Sequence, residues 1–201
     1  MPMAARPQAG RVNQKARTRM GIVGAARELI RTGQPVTMPA VAQAALVSEP
    51  TAYRYFPDLP SLLTEAFAGL WPDPEQALRP VAGSSDPAER IACATEFLLR
   101  HVLEYQGAVR AMIAATITRP ELARTRPGLR FVLIDHALAP LRDTLAVADP
   151  DAFSQLRLDL AVVVSAEALF TLTDLCGLTP EQATTCAVRT ARTLTSAAIA
   201  G

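Results

Sequence analysis

Between Ser48 and Tyr55 the sequence Ser-Glu-Pro-Thr-Ala-Tyr-Arg-Tyr gathers two hydroxyls, two phenols, a guanidinium and a carboxylate around a single alanine. Such a set is a hydrogen-bonding surface. Thr51, Tyr53, Arg54 and Tyr55 can donate to phosphate oxygens or base edges, and Glu49 can accept from a cytosine N4 amine. The chemistry it suits is recognition of duplex DNA by a helix whose N-terminal end enters the major groove while its flanks meet phosphates.

The elements that must position these groups are legible from local signals. Ser48 offers an N-cap and Pro50 fits a first helical turn, so the stretch forms a helix of about two turns with Ala52 and Phe56 inward. Upstream, Thr37 is an N-cap, Pro39 lies in the next turn, and Val41, Ala42 and Ala45 share one face until Leu46-Val47 breaks the run. The two short helices form a helix-turn-helix, with Thr37, Ser48, Glu49 and Pro50 at its groove-facing ends. A first helix is expected over residues 13–31, where Ile22, Ala26, Leu29 and Ile30 make one stripe and Gly33 ends the helix. Lys15, Arg17 and Arg19 lie in its first half as candidate phosphate contacts. After Pro57, Asp58 caps an amphipathic helix expected to reach Trp71 and to link a reading head mechanically to the rest of the chain. Residues 1–12 are expected to form a disordered basic arm.

Charge is unevenly divided. The chain of 201 residues carries a net +1, but residues 1–60 hold eight Lys/Arg against three acids while the remainder holds twelve against sixteen. A basic first third joined to an acidic remainder points to one part meeting a polyanion. Three cysteines without a CxxC pair argue against a disulfide framework. The N-terminus lacks the apolar core of a signal peptide, and the run Leu160–Ala166 is too short to span a bilayer, so no membrane partner and a cytoplasmic location are expected.

The stretch resembles the helix-turn-helix of the tetracycline-repressor (TetR) family of bacterial transcription regulators. The resemblance is carried by Val36-Thr37-Met38, Val41-Ala42, Val47-Ser48, Pro50 through Pro57 and Leu62-Leu63, with Ile22–Gly33 fitting that family's first helix. It covers about residues 15–67 and departs at Leu59, where family members usually carry a phosphate-contacting lysine. It implies an all-α protein: a three-helix DNA-binding domain over residues 13–71 and a helical ligand-binding and dimerisation domain over residues 72–201. It further implies a homodimer on a palindromic operator, released by a small-molecule effector.

The second domain carries helix patterns and no need of a strand. Asp86-Pro87-Ala88-Glu89 opens a long helix, Ala108–Thr118 a second, and Leu129–Ala146 a third that Pro140 should kink or split. Asp149-Pro150 caps a helix expected to run to Leu175, and Thr179-Pro180-Glu181-Gln182 is a capping box for the last. Polar residues on otherwise apolar helices mark a candidate effector pocket: His101, Tyr105, His136, Glu167 and Thr171 with Phe97, Met112, Phe131 and Phe170. Small residues at helical spacing, Ala183, Ala187, Ala191 and Thr195, with Val188, Leu194, Val163 and Val164, are the expected dimer interface, since they let helices approach closely. Enzyme signatures are sparse. There is no glycine-rich phosphate loop, GxSxG or HExxH, and no cofactor or metal is expected. The alternative reading is a helical ligand-binding protein or di-iron-like enzyme using Glu96, His101, Glu104 and His136, but its residues lack the Glu-x-x-His spacing.

Overall fold

The computed structural model describes residues 7–68, 70 and 73–200, and no β-strand occurs among them. In chain order the α-helices are α1 (Pro7–Arg31), α2 (Met38–Ala44), α3 (Glu49–Tyr55), α4 (Leu59–Phe67), α5 (Pro74–Ala77) and α6 (Pro87–Glu104). They continue with α7 (Gln106–Thr118), α8 (Leu129–Ala137), α9 (Leu145–Ala148), α10 (Pro150–Val163), α11 (Ala166–Phe170) and α12 (Pro180–Ala200). Helix α1 starts at Pro7, so residues 7–12 are helical rather than part of an unstructured arm. Proline suits a helix start, and the Gln, Ala and Arg that follow are good helix formers. Residues 1–6 lie outside the described residues.

The described residues fall into two compact units. The first holds the segments through Leu70 together with Tyr105–Pro127, and the second holds the segments to Glu104 and from Gly128 onward. Residues 105–127, placed by sequence in the second domain, therefore group with the N-terminal unit. There α7 and the 3-10 turn Pro120–Thr125 pack on α4.

In the first unit α1, α2 and α4 bury one shared core: Ile22, Val23, Ala26 and Ile30 against Val41, Leu62, Leu63, Ala66 and Phe67. The caps are local. Thr37 Oγ1 accepts from Ala40 N at 3.2 Å, and Asp58 Oδ1 from Ser61 N at 2.8 Å. Helix α1 closes through Gly33 at φ +68, with Gln34 N donating to Leu29 O at 3.0 Å. Helix α2 closes the same way, Leu46 N donating to Gln43 O and Val47 N to Ala42 O, but its left-handed residue is Leu46, φ +55 and 93% exposed. Helix α4 stops at Phe67, short of the expected Trp71, ahead of Gly69 and Pro72 in the sequence, and Arg27 takes up its last carbonyls. Arg27 Nε donates to Ala66 O at 2.9 Å, and Nη2 donates to Glu65 O and to Ala68 O at 3.2 and 2.8 Å. Trp71 lies outside the described residues.

The second unit is organised around the α6–α12 pair, with α8, α10 and α11 packed beside it. Thr179 and Gln182 form the expected capping box, Gln182 Oε1 accepting from Thr179 N at 3.0 Å and Thr179 Oγ1 accepting from Gln182 N at 3.3 Å. Near Pro140 the expected helix is split into α8, a 3-10 turn at Ala139–Leu141, and α9. The helix expected from Pro150 to Leu175 is instead broken at Val164-Ser165, and its last turn, Thr171–Leu175, is wound as a π-helix. The stripe assigned by sequence to a dimer contact is core. Ala183, Ala187, Ala191 and Thr195 are each at most 2% exposed inside the protomer. Small side chains do let a helix approach closely there, but the neighbour is α6 of the same chain. Val164 is also fully buried, and Val163, Val188 and Leu194 are half-buried.

Candidate nucleic-acid interface

Helix α3 is built to be seen from outside. Seven residues long, it buries only Ala52, with Phe56 just beyond its end as the second anchor. A two-turn helix held by two side chains leaves the remaining face to solvent: Ser48, Glu49, Pro50, Tyr53 and Arg54 are exposed, Thr51 and Tyr55 half-buried. Ser48 makes no side-chain cap; its hydroxyl donates to Thr51 Oγ1 at 3.0 Å, so the two form one small polar cluster at the start of α3. Thr37, at the start of α2, is exposed while capping that helix. The Arg54 guanidinium lies 5.6 Å from the Tyr55 ring centroid, a cation–π distance.

The basic residues of α1 separate into two kinds. Lys15 and Arg17 are exposed. Lys15 lines a cleft of about 290 Å³ with Gln14, Arg54 and Tyr55, so a cation from α1 and one from α3 converge on one opening. Gln14 was not singled out by sequence; its only signal is its place beside Lys15. Arg19, expected to meet phosphate, has partners within the protein while its side chain stays 45% exposed. Its Nε and Nη2 pair with the Glu65 carboxylate, Nη1 donates to Tyr55 O at 3.1 Å, and the guanidinium stacks 4.3 Å over the Phe56 ring. It ties the end of α3 to α1 and α4, which makes it a positioning residue.

No family model, no curated protein and no solved structure matches the chain.

The division into units sharpens the charge pattern. Segments 1–70 and 105–127 hold twelve Lys/Arg against five Asp/Glu, a net +7, and the rest holds eight against fourteen, a net −6. Arg110, Arg119, Arg124 and Arg126 supply the increase over the N-terminal segment alone.

The expected effector residues divide between the units. Tyr105 and Met112 belong to the first; Phe97, His101, Phe131, His136, Glu167, Phe170 and Thr171 belong to the second. Phe97 and His101 stack with ring centroids 6.2 Å apart, and Glu167 pairs with Arg130 at 2.8 Å. The backbone carbonyl of His136 accepts from Arg90, while Thr171 is exposed in the π-turn. Among the described residues no group of three or more His, Cys, Asp or Glu is placed to hold a metal ion, and no helix is long and apolar enough to cross a membrane. Cys93 is no ready nucleophile. Its thiol donates to Ala77 O at 3.4 Å, and burial pushes its pKa up.

Proposed function

We propose that this protein is a sequence-specific DNA-binding transcriptional regulator of the tetracycline-repressor type, a homodimer whose α2–turn–α3 pair reads a palindromic operator and which a small-molecule effector releases. The observation that carries the reading is the α3 surface. A helix anchored by Ala52 and Phe56 alone turns Glu49, Pro50, Tyr53 and Arg54 to solvent beside the Lys15 cleft, within segments of net +7. The resemblance over about residues 15–67 points the same way.

The dimer contact is redrawn by the burial of the α12 stripe. What α12 leaves open is its opposite face, a shallow stretch from Thr185 to Ala197 that carries Arg189 and Arg192. On α10, Leu158 and Val162 are 61% and 71% exposed one turn apart, in a helix that carries Asp151 and Asp159 against Arg157. A second copy can cover both faces at once, the cationic α12 of one protomer meeting the acidic, apolar α10 of the other.

Selection of bound fragments from random or genomic duplex DNA tests the function. The expected product is a roughly two-fold symmetric site with half-sites about 34–36 Å apart, as helix-turn-helix dimers require. Affinity should fall steeply with salt. Recovery of no common sequence, or binding insensitive to salt, would overturn the reading.

A further inference from the structure

The break between α10 and α11 has no covalent cause. From Asp151 to Cys176 the sequence contains neither proline nor glycine, and abrupt helix breaks otherwise need an inserted group. Val164 (φ −81, ψ 65) makes an inverse γ-turn in which Ser165 N donates to Val163 O at 2.9 Å, and Ser165 itself is extended (φ −149, ψ 151). The carbonyls released by the break are taken by side chains. Ser165 Oγ donates to Val162 O at 2.8 Å and accepts from Ala168 N at 3.0 Å. Arg130, reaching across from α8, donates through Nη1 to Ala161 O at 3.2 Å and through Nη2 to Glu167 Oε2 at 2.8 Å. The guanidinium therefore spans the break, holding a carbonyl on one side and a carboxylate on the other.

This geometry offers one carbonyl two alternative donors. In an uninterrupted helix Ala161 O would accept from Ser165 N, four residues on. In the broken form Arg130 holds it. We propose that Arg130 keeps the α10–α11 break as a two-state junction, and that a small carboxylate with an apolar body closes it by drawing the guanidinium away. Arg130 already binds a carboxylate oxygen through Nη2, and its planar fork can take both oxygens of an external carboxylate, which is the ligand class that matches it. The side chains of Arg130 and Glu167 are 26% and 38% exposed, within reach of solvent. Phe131, 49% exposed with its ring 6.0 Å from the guanidinium, offers an apolar surface for the ligand's body. Such a ligand favours the closed form because a guanidinium turned to the ligand leaves Ala161 O to Ser165 N, which is the differential affinity a switch needs. Glu167 acts as an internal competitor.

As an effector step this rests on the regulator reading. The test contains no DNA, so failure here leaves operator binding untouched, and failure to bind DNA leaves the junction untouched. In the full-length, isotope-labelled chain, the 13Cα shift of Ser165 reports its conformation. Arg130→Met should move it from extended toward helical values without ligand; an unchanged shift means Arg130 does not hold the break. Octanoate at millimolar concentration should move the wild-type shift in the same direction, while the uncharged octanamide should not. Equal responses to the two, or none to octanoate, overturn the ligand assignment. Glu167→Gln should bind octanoate several-fold more tightly; weaker or unchanged binding removes Glu167 as competitor. Should Arg130→Met not fold, Arg130→Lys, which keeps charge but loses the fork, must still blunt the octanoate response, and a full response in it counts against the proposal.

Discussion

Arg19 and Lys15 occupy neighbouring turns of one helix and look alike in sequence, yet they have opposite commitments. Arg19 is used up on Glu65, Tyr55 O and the Phe56 ring, whereas Lys15 opens onto a cleft shared with Arg54. Lys15→Met should lower the slope of log affinity against log salt by about 1.8, the share of two phosphate contacts, one from each protomer of the dimer. Arg19→Met should leave that slope alone and instead lower the melting temperature. Measuring operator affinity across a salt series together with a thermal melt separates the two roles. Leu46 makes a different point: its left-handed conformation disfavours any residue with a Cβ, and its side chain, 93% exposed, gains nothing from the core. Leu46→Gly should stabilise the protein by about 1 kcal/mol in denaturant unfolding, the steric relief exceeding the added flexibility of the unfolded chain. That residue types alone do not assign Arg19 is physical. Its partners lie 36 and 46 positions downstream, beyond any local pattern.

Helix ends were largely legible because their signals are local. Thr37, Asp58, Asp149 and the Thr179–Gln182 pair all cap where their spacing places them. Where helices ended unexpectedly, the freed carbonyls are taken by arginines from a distance, Arg27 of α1 at the end of α4 and Arg130 of α8 at the end of α10. The inward and outward sides of α3 were also legible, since two apolar anchors among polar residues leave one choice. The α12 stripe was visible but its neighbour was not. A row of alanines specifies close approach and is silent on whether the approaching helix belongs to the same chain. Ala187→Arg, which would have split a dimer under the sequence reading, should unfold the second unit. A long charged side chain in the α6–α12 seam combines overpacking with a buried charge, costing about 3 kcal/mol or more. Arg192→Glu, on the open face, should keep the wild-type melting temperature and shift the protein toward monomer. Thermal melts and sedimentation of the two variants check both outcomes.

At the scale of the molecule, the chain passes from one unit to the other near residues 70, 104 and 127, so the first unit is not a continuous stretch of sequence. A fragment ending at Leu70 lacks α7, whose Ala108, Val109 and Met112 are buried and which packs on α4. That fragment should melt well below the intact protein and expose part of the Leu62–Phe67 helix. Joining residues 105–127 to it through a flexible linker should restore cooperative unfolding, which circular dichroism and dye binding can follow. The segregation of charge between the two units bears on handling as well as on DNA. With a bulk isoelectric point of about 7.8 the protein would be expected to pass neutral ion-exchange resins unretained. Segments of net +7 and −6 make it a block zwitterion instead, able to cling to cation and anion exchangers alike. The opposite blocks of different molecules attract one another when counterions are scarce, so at low ionic strength near neutrality the protein should precipitate and added salt should redissolve it.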